Sequence, residues 1–242
     1  MKPEERLIVA ADFDPRKVGG KHGVIKSVMK LVRQLQGTGV YIKVNSALRA
    51  QGYGLIDEMH GEGVRVFADL KLIDIPNTME TDGALLAECK PELLTVMCAA
   101  GIDGMHAVQK TLPDTNVLGV TVLTSLNEEE CQAIFSCSTK AGVLRFARMA
   151  KLAGLGDLIL SPKEVEIVNN RFELGLSLNT PGIRPKWSIV EGDDQSRVLT
   201  PHQAIQNGAT RIVIGRPIVQ ADNPRDAVQR TLDEIEQGLA EV

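Results

Sequence analysis

Eight short apolar runs, rich in valine, isoleucine and leucine, recur along the 242-residue chain, and a helical pattern follows each of them. The runs are apolar at consecutive rather than alternate positions, which is typical of parallel strands buried on both faces. Eight strands alternating with helices predict an α/β fold, specifically a closed (β/α)8 TIM barrel, with a doubly wound open sheet as the structural alternative. The expected strands are Arg6–Asp12, Val40–Val44, Arg65–Leu70, Leu93–Cys98, Asn116–Leu123, Asp157–Ser161, Leu174–Asn179 and Arg211–Gly215.

The domain organisation is expected to be simple, because the chain has no internal repeat, low-complexity tract or linker. We therefore predict a single domain over residues 1–242. Its last helix is expected to begin at Asn223, as N-cap, and Pro224. One segment, Thr180–Val198, lacks periodicity and is rich in proline, glycine and aspartate, and long loops of this kind in compact domains are usually functional lids or disordered.

Composition and charge indicate which binding partners and which cellular compartment are expected. The net charge of −4 and pI near 5.7 argue against a general nucleic-acid binder, although a local arginine still suits an anionic small ligand. No apolar run approaches the roughly 20 residues that span a bilayer, and the charged N-terminus does not resemble a secretory signal. The four cysteines lack Cys-x-x-Cys spacing and the four histidines do not cluster with them. We expect a cytoplasmic protein with reduced thiols, without a metal site or membrane partner.

The third expected strand carries the densest group of charges. Asp69 and Lys71 are two residues apart, so on an extended strand they would share one face, and Asp74 follows where the chain leaves the strand. An acid–base–acid cluster at the end of a buried strand is costly to desolvate unless the charges satisfy one another. A purely structural ion pair is the simpler alternative to a catalytic group.

Other polar residues stand at the carboxyl ends of further expected strands, namely Asp12, Lys43, Thr124, Ser125, Gly215 and Arg216. Taken singly, each has a structural explanation, such as a turn cap for Asp12 or an N-cap for Thr124 and Ser125. In a (β/α)8 barrel, however, the carboxyl ends of all strands form one face, where active sites are built. The sequence therefore predicts one pocket that collects these side chains.

Gly215-Arg216-Pro217 predicts a phosphate site, because loops after the seventh and eighth strands of such barrels often bind phosphate. Glycine permits close backbone approach and arginine supplies a permanently charged, forked donor. The alternative is that Arg216 pairs with a surface carboxylate. The Thr180–Val198 loop, which carries Arg184, Gln195 and Arg197, stands in sequence where it could close over a phosphate.

These residues resemble the orotidine 5'-monophosphate decarboxylase family over essentially the whole chain. The central match is Asp69-Leu70-Lys71-Leu72-Ile73-Asp74-Ile75-Pro76-Asn77-Thr78, which is similar to the family signature Asp-x-Lys-x-x-Asp-Ile-x-Asn-Thr. Four further motifs follow in the family's order: Val120-Thr121-Val122-Leu123-Thr124-Ser125, Thr180-Pro181-Gly182-Ile183-Arg184-Pro185, Asp194-Gln195-Ser196-Arg197 and Gly215-Arg216-Pro217-Ile218.

The resemblance implies decarboxylation of orotidine 5'-monophosphate to uridine 5'-monophosphate, without cofactor or metal. It implies that Lys71 protonates C6 of the pyrimidine, that Asp69 lies beside the substrate carboxylate and that Lys43 completes the charged array. It further implies a homodimer in which Asp74 reaches the active site of the second subunit. The implied ribose contacts are Asp12, Lys43, Asp74 and Thr78, the implied pyrimidine contacts Thr124 and Ser125, and the implied phosphate contacts Arg184, Gln195, Gly215 and Arg216.

Two positions depart from the family pattern. Asn45 stands where a glycine typically follows the lysine by two residues, and Asn179 stands where leucine is common before Thr-Pro-Gly. Two other functions stay open: a Mg2+-dependent sugar-phosphate decarboxylase or aldolase on the same barrel, and a catalytically silent phosphate-binding protein. An intact Lys71 with both acids argues against the silent protein.

Overall fold

The computed structural model describes residues 1–171, 174–188 and 199–241. Eight parallel strands close into a barrel in chain order, which confirms the predicted (β/α)8 fold. The register places Val9 opposite Ile42 on one side and opposite Ile214 on the other. The strands are β1 Leu7–Ala10, β2 Tyr41–Val44, β3 Arg65–Leu72, β4 Leu93–Met97, β5 Asn116–Val120, β6 Asp157–Ile159, β7 Ser177–Pro181 and β8 Arg211–Ile214.

Helices follow the strands, and several loops carry additional short ones. The α-helices of the described residues are α1 Pro15–Val18, α2 Gly20–Gln34, α3 Ser46–Gln51, α4 Gly54–Gly61, α5 Pro76–Cys89, α6 Gly101–Thr111, α7 Glu128–Phe135, α8 Thr139–Leu152, α9 Val165–Asn169, α10 Pro201–Gln206, α11 Arg216–Val219 and α12 Pro224–Ala240. Single 3₁₀ turns cover Pro3–Arg6, Cys98–Ala100, Pro162–Glu164 and Lys186–Ser188. None of the helices in these ranges is long and apolar enough to cross a bilayer.

Local sequence signals account for several element boundaries. The predicted N-cap Asn223 is confirmed: its side chain accepts hydrogen bonds from the backbone N–H groups of Arg225 and Asp226, and Pro224 is the first helical residue. Strands β1, β2 and β8 are buried at every position. This agrees with their mainly apolar sequences, in which Lys43 of β2 and Arg211 of β8 are the charged exceptions.

Several predicted strand boundaries were wrong. The first, fifth and sixth strands end two or three residues before their predicted ends, at Ala10, Val120 and Ile159. The seventh strand is Ser177–Pro181 rather than Leu174–Asn179, because Gly175 adopts a left-handed conformation with φ 55° and delays the extended segment. The third strand continues to Leu72, two residues beyond its predicted end, so that Lys71 lies within it.

Contacts between residues divide the chain into two compact units. The first contains Met1–Asp69, Gly182–Gln206 and Arg211–Val242, and the second contains Leu70–Pro181 and Asn207–Thr210. The first unit has a core of apolar residues from β1, β2, β8, α2 and α12, and the second has a core from β4, β5, α6 and α8. The single-domain assignment stays a prediction.

Candidate active site

A charged triplet, formed by Asp12, Lys43 and Asp69, comes from the first three strands and the residues that follow the first, within the first unit. The register sets Lys43 opposite both Ala10 and Phe67, and the Ala11 N–H donates to the Lys43 carbonyl. Lys43 Nζ lies 2.9 Å from Asp12 Oδ2 and 3.1 Å from Asp69 Oδ2. The structure therefore brings together three of the side chains that the sequence predicted to converge.

Burial makes this triplet electrostatically unusual. The Lys43 side chain is 10% exposed and that of Asp69 is 8% exposed, whereas the Asp12 side chain is 56% exposed. Desolvation lowers the pKa of Lys43, but the charges and hydrogen bonds of Asp69 and Asp12 outweigh it, so the pKa lies above the ordinary value. Lys43 is therefore a fixed cation, held between one buried and one solvated carboxylate.

A cavity of about 190 Å³ opens beside the triplet. Its polar lining comes from Asp12, Asn45 and Ser46, and apolar residues including Phe13 and Val24 line the rest. Asn45 Nδ2 also donates to Asp69 Oδ2 at 3.4 Å. Sequence reasoning noted Asn45 only as a departure from the family pattern and missed this contact, whose one signal is a polar residue directly after β2.

Lys71, in the second unit, has an unusual backbone conformation. Its φ is +51°, a left-handed value that non-glycine residues rarely adopt. Its N–H donates to Thr95 Oγ1 at 2.9 Å, and Thr95 is buried within β4. The prediction that Asp69 and Lys71 share one face assumed extended backbone at both residues, and Lys71 departs from it. Sequence reasoning also did not identify Thr95 as a residue of the site. Its signal is that it is the only polar residue in the apolar sequence of β4.

Asp74 and Thr78 stand around the start of α5, also in the second unit. Asp74 is exposed, and its Oδ1 accepts from the Ile75 N–H at 2.7 Å. Burial, together with the charge of Asp74, raises the pKa of Asp82 on α5. Thr78 is half-buried in the first turn of the helix. Asp74 is thus presented toward solvent, and its side chain is hydrogen-bonded to the backbone of the next residue.

Thr124 and Ser125 occupy the exposed centre of a turn after β5. The turn is closed by a hydrogen bond of 2.9 Å from the Leu126 N–H to the Leu123 carbonyl. Neither residue caps α7; Asn127 does so, by accepting from the Glu130 N–H at 2.9 Å. The helix-cap alternative for Thr124 and Ser125 is therefore wrong, which leaves their hydroxyl groups available to a ligand.

The residues predicted to bind phosphate lie in the first unit. Gly215 is the N-cap of α11 and Arg216, its first residue, is exposed. The Arg184 N–H donates to the Leu199 carbonyl at 3.0 Å, which joins the two ends of the predicted lid loop. Gln195 and Arg197 lie outside the described residues.

Asn179, the second departure from the family pattern, is fully buried in the second unit. Its Nδ2 donates to Asp157 Oδ1 at 3.1 Å and to the Leu158 carbonyl at 2.9 Å. The asparagine therefore has a structural role, satisfying a buried carboxylate. Across the ranges that the structure describes, no group of three or more His, Cys, Asp or Glu side chains is arranged to hold a metal ion.

A closed parallel barrel with charged side chains at the carboxyl ends of its strands defines the (β/α)8 barrel class. Within that class, the chain belongs to the orotidine 5'-phosphate decarboxylase / HUMPS family, whose family model matches residues 5–231.

Individual relatives agree with this family over almost the whole chain. The orotidine 5'-phosphate decarboxylase of Syntrophus aciditrophicus (strain SB) is 38% identical, over 98% of this chain and 95% of its own length. That of Streptococcus gordonii is 41% identical, over 93% of this chain and 95% of its own length. The crystal structure of orotidine 5'-phosphate decarboxylase from Lactobacillus acidophilus has a TM-score of 0.80 at 28% identity, covering 96% of this chain and 99% of that one.

Proposed function

We propose that this protein decarboxylates orotidine 5'-monophosphate to uridine 5'-monophosphate, without a metal ion or cofactor. The observation that carries the proposal is the charged triplet of Asp12, Lys43 and Asp69, in which Lys43 and Asp69 are buried, in a chain that belongs to the decarboxylase family. Lys43, fixed between two carboxylates, is a preorganised charge that holds Asp69 ionised in place, as a reaction that develops charge in its transition state needs.

In the proposed reaction, the bond between C6 of the pyrimidine and its carboxylate breaks and CO2 leaves. The bonding electron pair stays on C6, in the plane of the ring, where conjugation does not delocalise it. The Lys71 ammonium stabilises this charge and then transfers a proton to C6. The lysine regains a proton from solvent after the product leaves. Asp69 lies beside the substrate carboxylate, and Lys43 balances the charge of Asp69.

Contacts remote from C6 orient the substrate and supply binding energy. The ribose hydroxyls contact Asp12, Lys43, Asp74 and Thr78 in this proposal. The pyrimidine contacts Thr124 and Ser125, whose exposed turn supports that assignment. The phosphate binds Arg184, Gln195, Gly215 and Arg216, and the segment that begins at Arg184 closes over it. A nucleotide is thus the small-molecule partner, and cytoplasmic pyrimidine biosynthesis is the proposed setting.

A homodimer is part of the proposal, with Asp74 contributed to the active site of the partner subunit. Large apolar side chains are exposed on the same segment, with Ile73 57% and Ile75 66% exposed. Leu85 on α5 and Ile102 on α6 are exposed too, and the Asp74 carbonyl approaches the first turns of α6 near Gly104. Exposed apolar residues on both sides of Asp74, with others on the two helices that follow, support a subunit interface there.

The direct test is turnover of orotidine 5'-monophosphate in EDTA, followed by loss of the orotate absorbance and by identification of the product. Conversion to uridine 5'-monophosphate is the expected result. Absence of conversion, together with turnover of a sugar phosphate after Mg2+ is added, would instead establish a metal-dependent reaction of the same barrel.

The role of Lys71 is tested by Lys71→Ala, which removes the proton donor and is expected to abolish decarboxylation. The variant should still bind uridine 5'-monophosphate and should unfold at nearly the same midpoint as the parent protein. The reason is that the hydrogen bond from Lys71 to Thr95 uses the backbone N–H, which the substitution keeps. Turnover close to that of the parent protein would refute the assignment.

Sharing of Asp74 is tested by mixing Lys71→Ala and Asp74→Ala subunits, each inactive alone. If Asp74 crosses the interface, exchange places one intact site in each mixed dimer and activity returns. Continued inactivity after exchange has been verified, for example with differently tagged subunits, would show that each site is built from one chain.

A further inference from the structure

We propose that Asn45 is a positioning residue for Asp69: its side-chain amide, in the lining of the cavity of about 190 Å³, fixes the orientation of the Asp69 carboxylate. The inference rests on the proposed decarboxylase function, in which Asp69 lies beside the reacting carboxylate. Its structural basis lies entirely within the first unit, where Asn45 directly follows β2 and Asp69 stands on the neighbouring strand β3.

The contact follows from strand register. Val44 pairs with Ala68, so the next residue along each strand, Asn45 and Asp69, stand side by side. Asn45 Nδ2 donates to Asp69 Oδ2, the same oxygen that accepts from Lys43 Nζ. Two donors converging on one oxygen restrict rotation of the carboxylate about its Cβ–Cγ bond. Lys43 supplies the balancing charge, and Asn45 supplies direction without adding charge.

The conformation of Asn45 shows that its amide is committed to this contact. Asn45 is the N-cap residue of α3, a position where asparagine normally accepts a hydrogen bond from the second or third helical N–H. Its side chain makes no such cap bond. The side chain turns to Asp69 instead, which removes a helix-capping role as the explanation for an asparagine at this position.

Asn45 also lines the cavity of about 190 Å³ together with Asp12. It therefore stands between the space available to a ligand and the buried carboxylate. A side chain there that kept its size but lost its donor would remove the Asn45 hydrogen bond from Asp69. The expected consequence is a carboxylate that samples unproductive orientations, which lowers the rate of the chemical step more than substrate affinity.

The test compares Asn45→Ala with Asn223→Ala, another asparagine N-cap of the same unit whose side chain does cap its helix. We expect Asn45→Ala to lower kcat about tenfold, equivalent to about 1.4 kcal/mol, with KM changed by less than about twofold. Asn223→Ala should lower the unfolding midpoint and leave kcat unchanged.

Asn45→Asp, which keeps the shape but replaces the donor with a second carboxylate, should lose more activity than Asn45→Ala. Asn45→Gln, which keeps an amide donor, should recover part of it.

Equal kcat in Asn45→Ala and the parent protein would overturn the inference, as would a loss confined to KM. A second measurement does not need activity. A double-mutant cycle of Asn45→Ala with Asp69→Ala, read from urea unfolding, should show coupling of about threefold or more in the unfolding equilibrium constant. Additive effects of the two substitutions would show that Asn45 and Asp69 do not interact, and the inference would then have no structural basis. Failure of the parent protein to convert orotidine 5'-monophosphate would refute the proposed function. The double-mutant cycle would still show whether Asn45 and Asp69 interact, because it does not depend on activity.

Discussion

Lys43→Met is the substitution whose outcome the structure defines most sharply. Methionine has nearly the length of lysine and fills the same buried space, so the change removes the charge and leaves the packing. In the parent protein, Lys43 Nζ contacts Asp69 Oδ2 at 3.1 Å and Asp12 Oδ2 at 2.9 Å. The variant therefore leaves two carboxylates without their shared cation.

The two carboxylates contribute unequally to the expected cost. Asp12 has a side chain that is 56% exposed, so water replaces most of its lost interaction. Asp69 is 8% exposed, and a buried charge that loses its partner typically costs about 3 to 5 kcal/mol. Because Asn45 still donates to Asp69, we expect the lower end, about 3 kcal/mol of the free energy of unfolding at pH 7.

Urea unfolding at pH 7 and at pH 5 measures this cost and its cause. Protonation of a buried carboxylate that has lost its cation relieves the penalty, so the deficit of Lys43→Met should shrink as the pH falls. The double variant Lys43→Met/Asp69→Asn removes the buried charge and should recover at least half of the loss. Arg16→Met, which breaks the exposed pair of Arg16 with Asp14, serves as the control and should leave the unfolding midpoint unchanged.

Two results would refute this reasoning. The first is a deficit below about 1 kcal/mol at pH 7, which would mean that the triplet behaves as a surface ion pair. The second is a deficit of the expected size that is the same at both pH values, because lost packing, unlike an unpaired charge, does not depend on protonation. In either case the proposed role of Lys43 as the fixed cation that balances Asp69 would lose its physical basis.

Three further predictions concern residues around the proposed site and in the second unit. Thr95→Val removes the acceptor of the Lys71 N–H, so it should cost about 1 to 2 kcal/mol of unfolding free energy and lower kcat, measured by urea unfolding and steady-state kinetics. Asn179→Leu should destabilise by about 1 to 3 kcal/mol in thermal unfolding, since it strips a donor from the buried Asp157 carboxylate; a stability equal to the parent's would contradict this. Burial raises the pKa of Glu164 to about 7, so its contribution to stability is complete below the ordinary value of 4.5 and is lost as the pH rises through about 7. Glu164→Gln should therefore flatten the dependence of unfolding free energy on pH between those values by about 1 to 2 kcal/mol, after allowance for partial exposure.

The barrel and the charged triplet could both be predicted from the sequence, and for related reasons. Thr95 and Asn179 show that a hydrogen-bonded polar residue can lie within a strand. Strands buried on both faces nevertheless need apolar residues at most positions, so charged residues are favoured near strand ends. Asp12 and Lys43 occupy such positions, and the parallel arrangement brings their strand ends together. Burial therefore limits where charges can stand, and the topology then decides which of them meet.

Backbone conformation at Lys71 could not be predicted in the same way. An extended strand places residues two apart on one face, and nothing in the local sequence signals the left-handed φ of +51° at a lysine. The acceptor of its N–H, Thr95, lies on a strand more than twenty residues further along the chain. Local propensity favours the extended form, and a non-local contact stabilises the rarer one.

The three asparagine N-caps Asn45, Asn127 and Asn223 show where sequence reasoning stops. Asn127 and Asn223 accept hydrogen bonds from their own helices, as the residue type predicts, whereas Asn45 donates to Asp69. All three are acceptable caps, so composition and spacing do not separate them. The difference lies in the neighbour: a buried carboxylate on an adjacent strand competes for the amide with stronger electrostatic attraction than a backbone N–H at a helix start exerts on the amide oxygen. An N-cap residue whose side chain does not bond its own helix therefore indicates that the side chain is bound elsewhere. For Asn45 the competing partner is Asp69, in the charged triplet of the proposed active site.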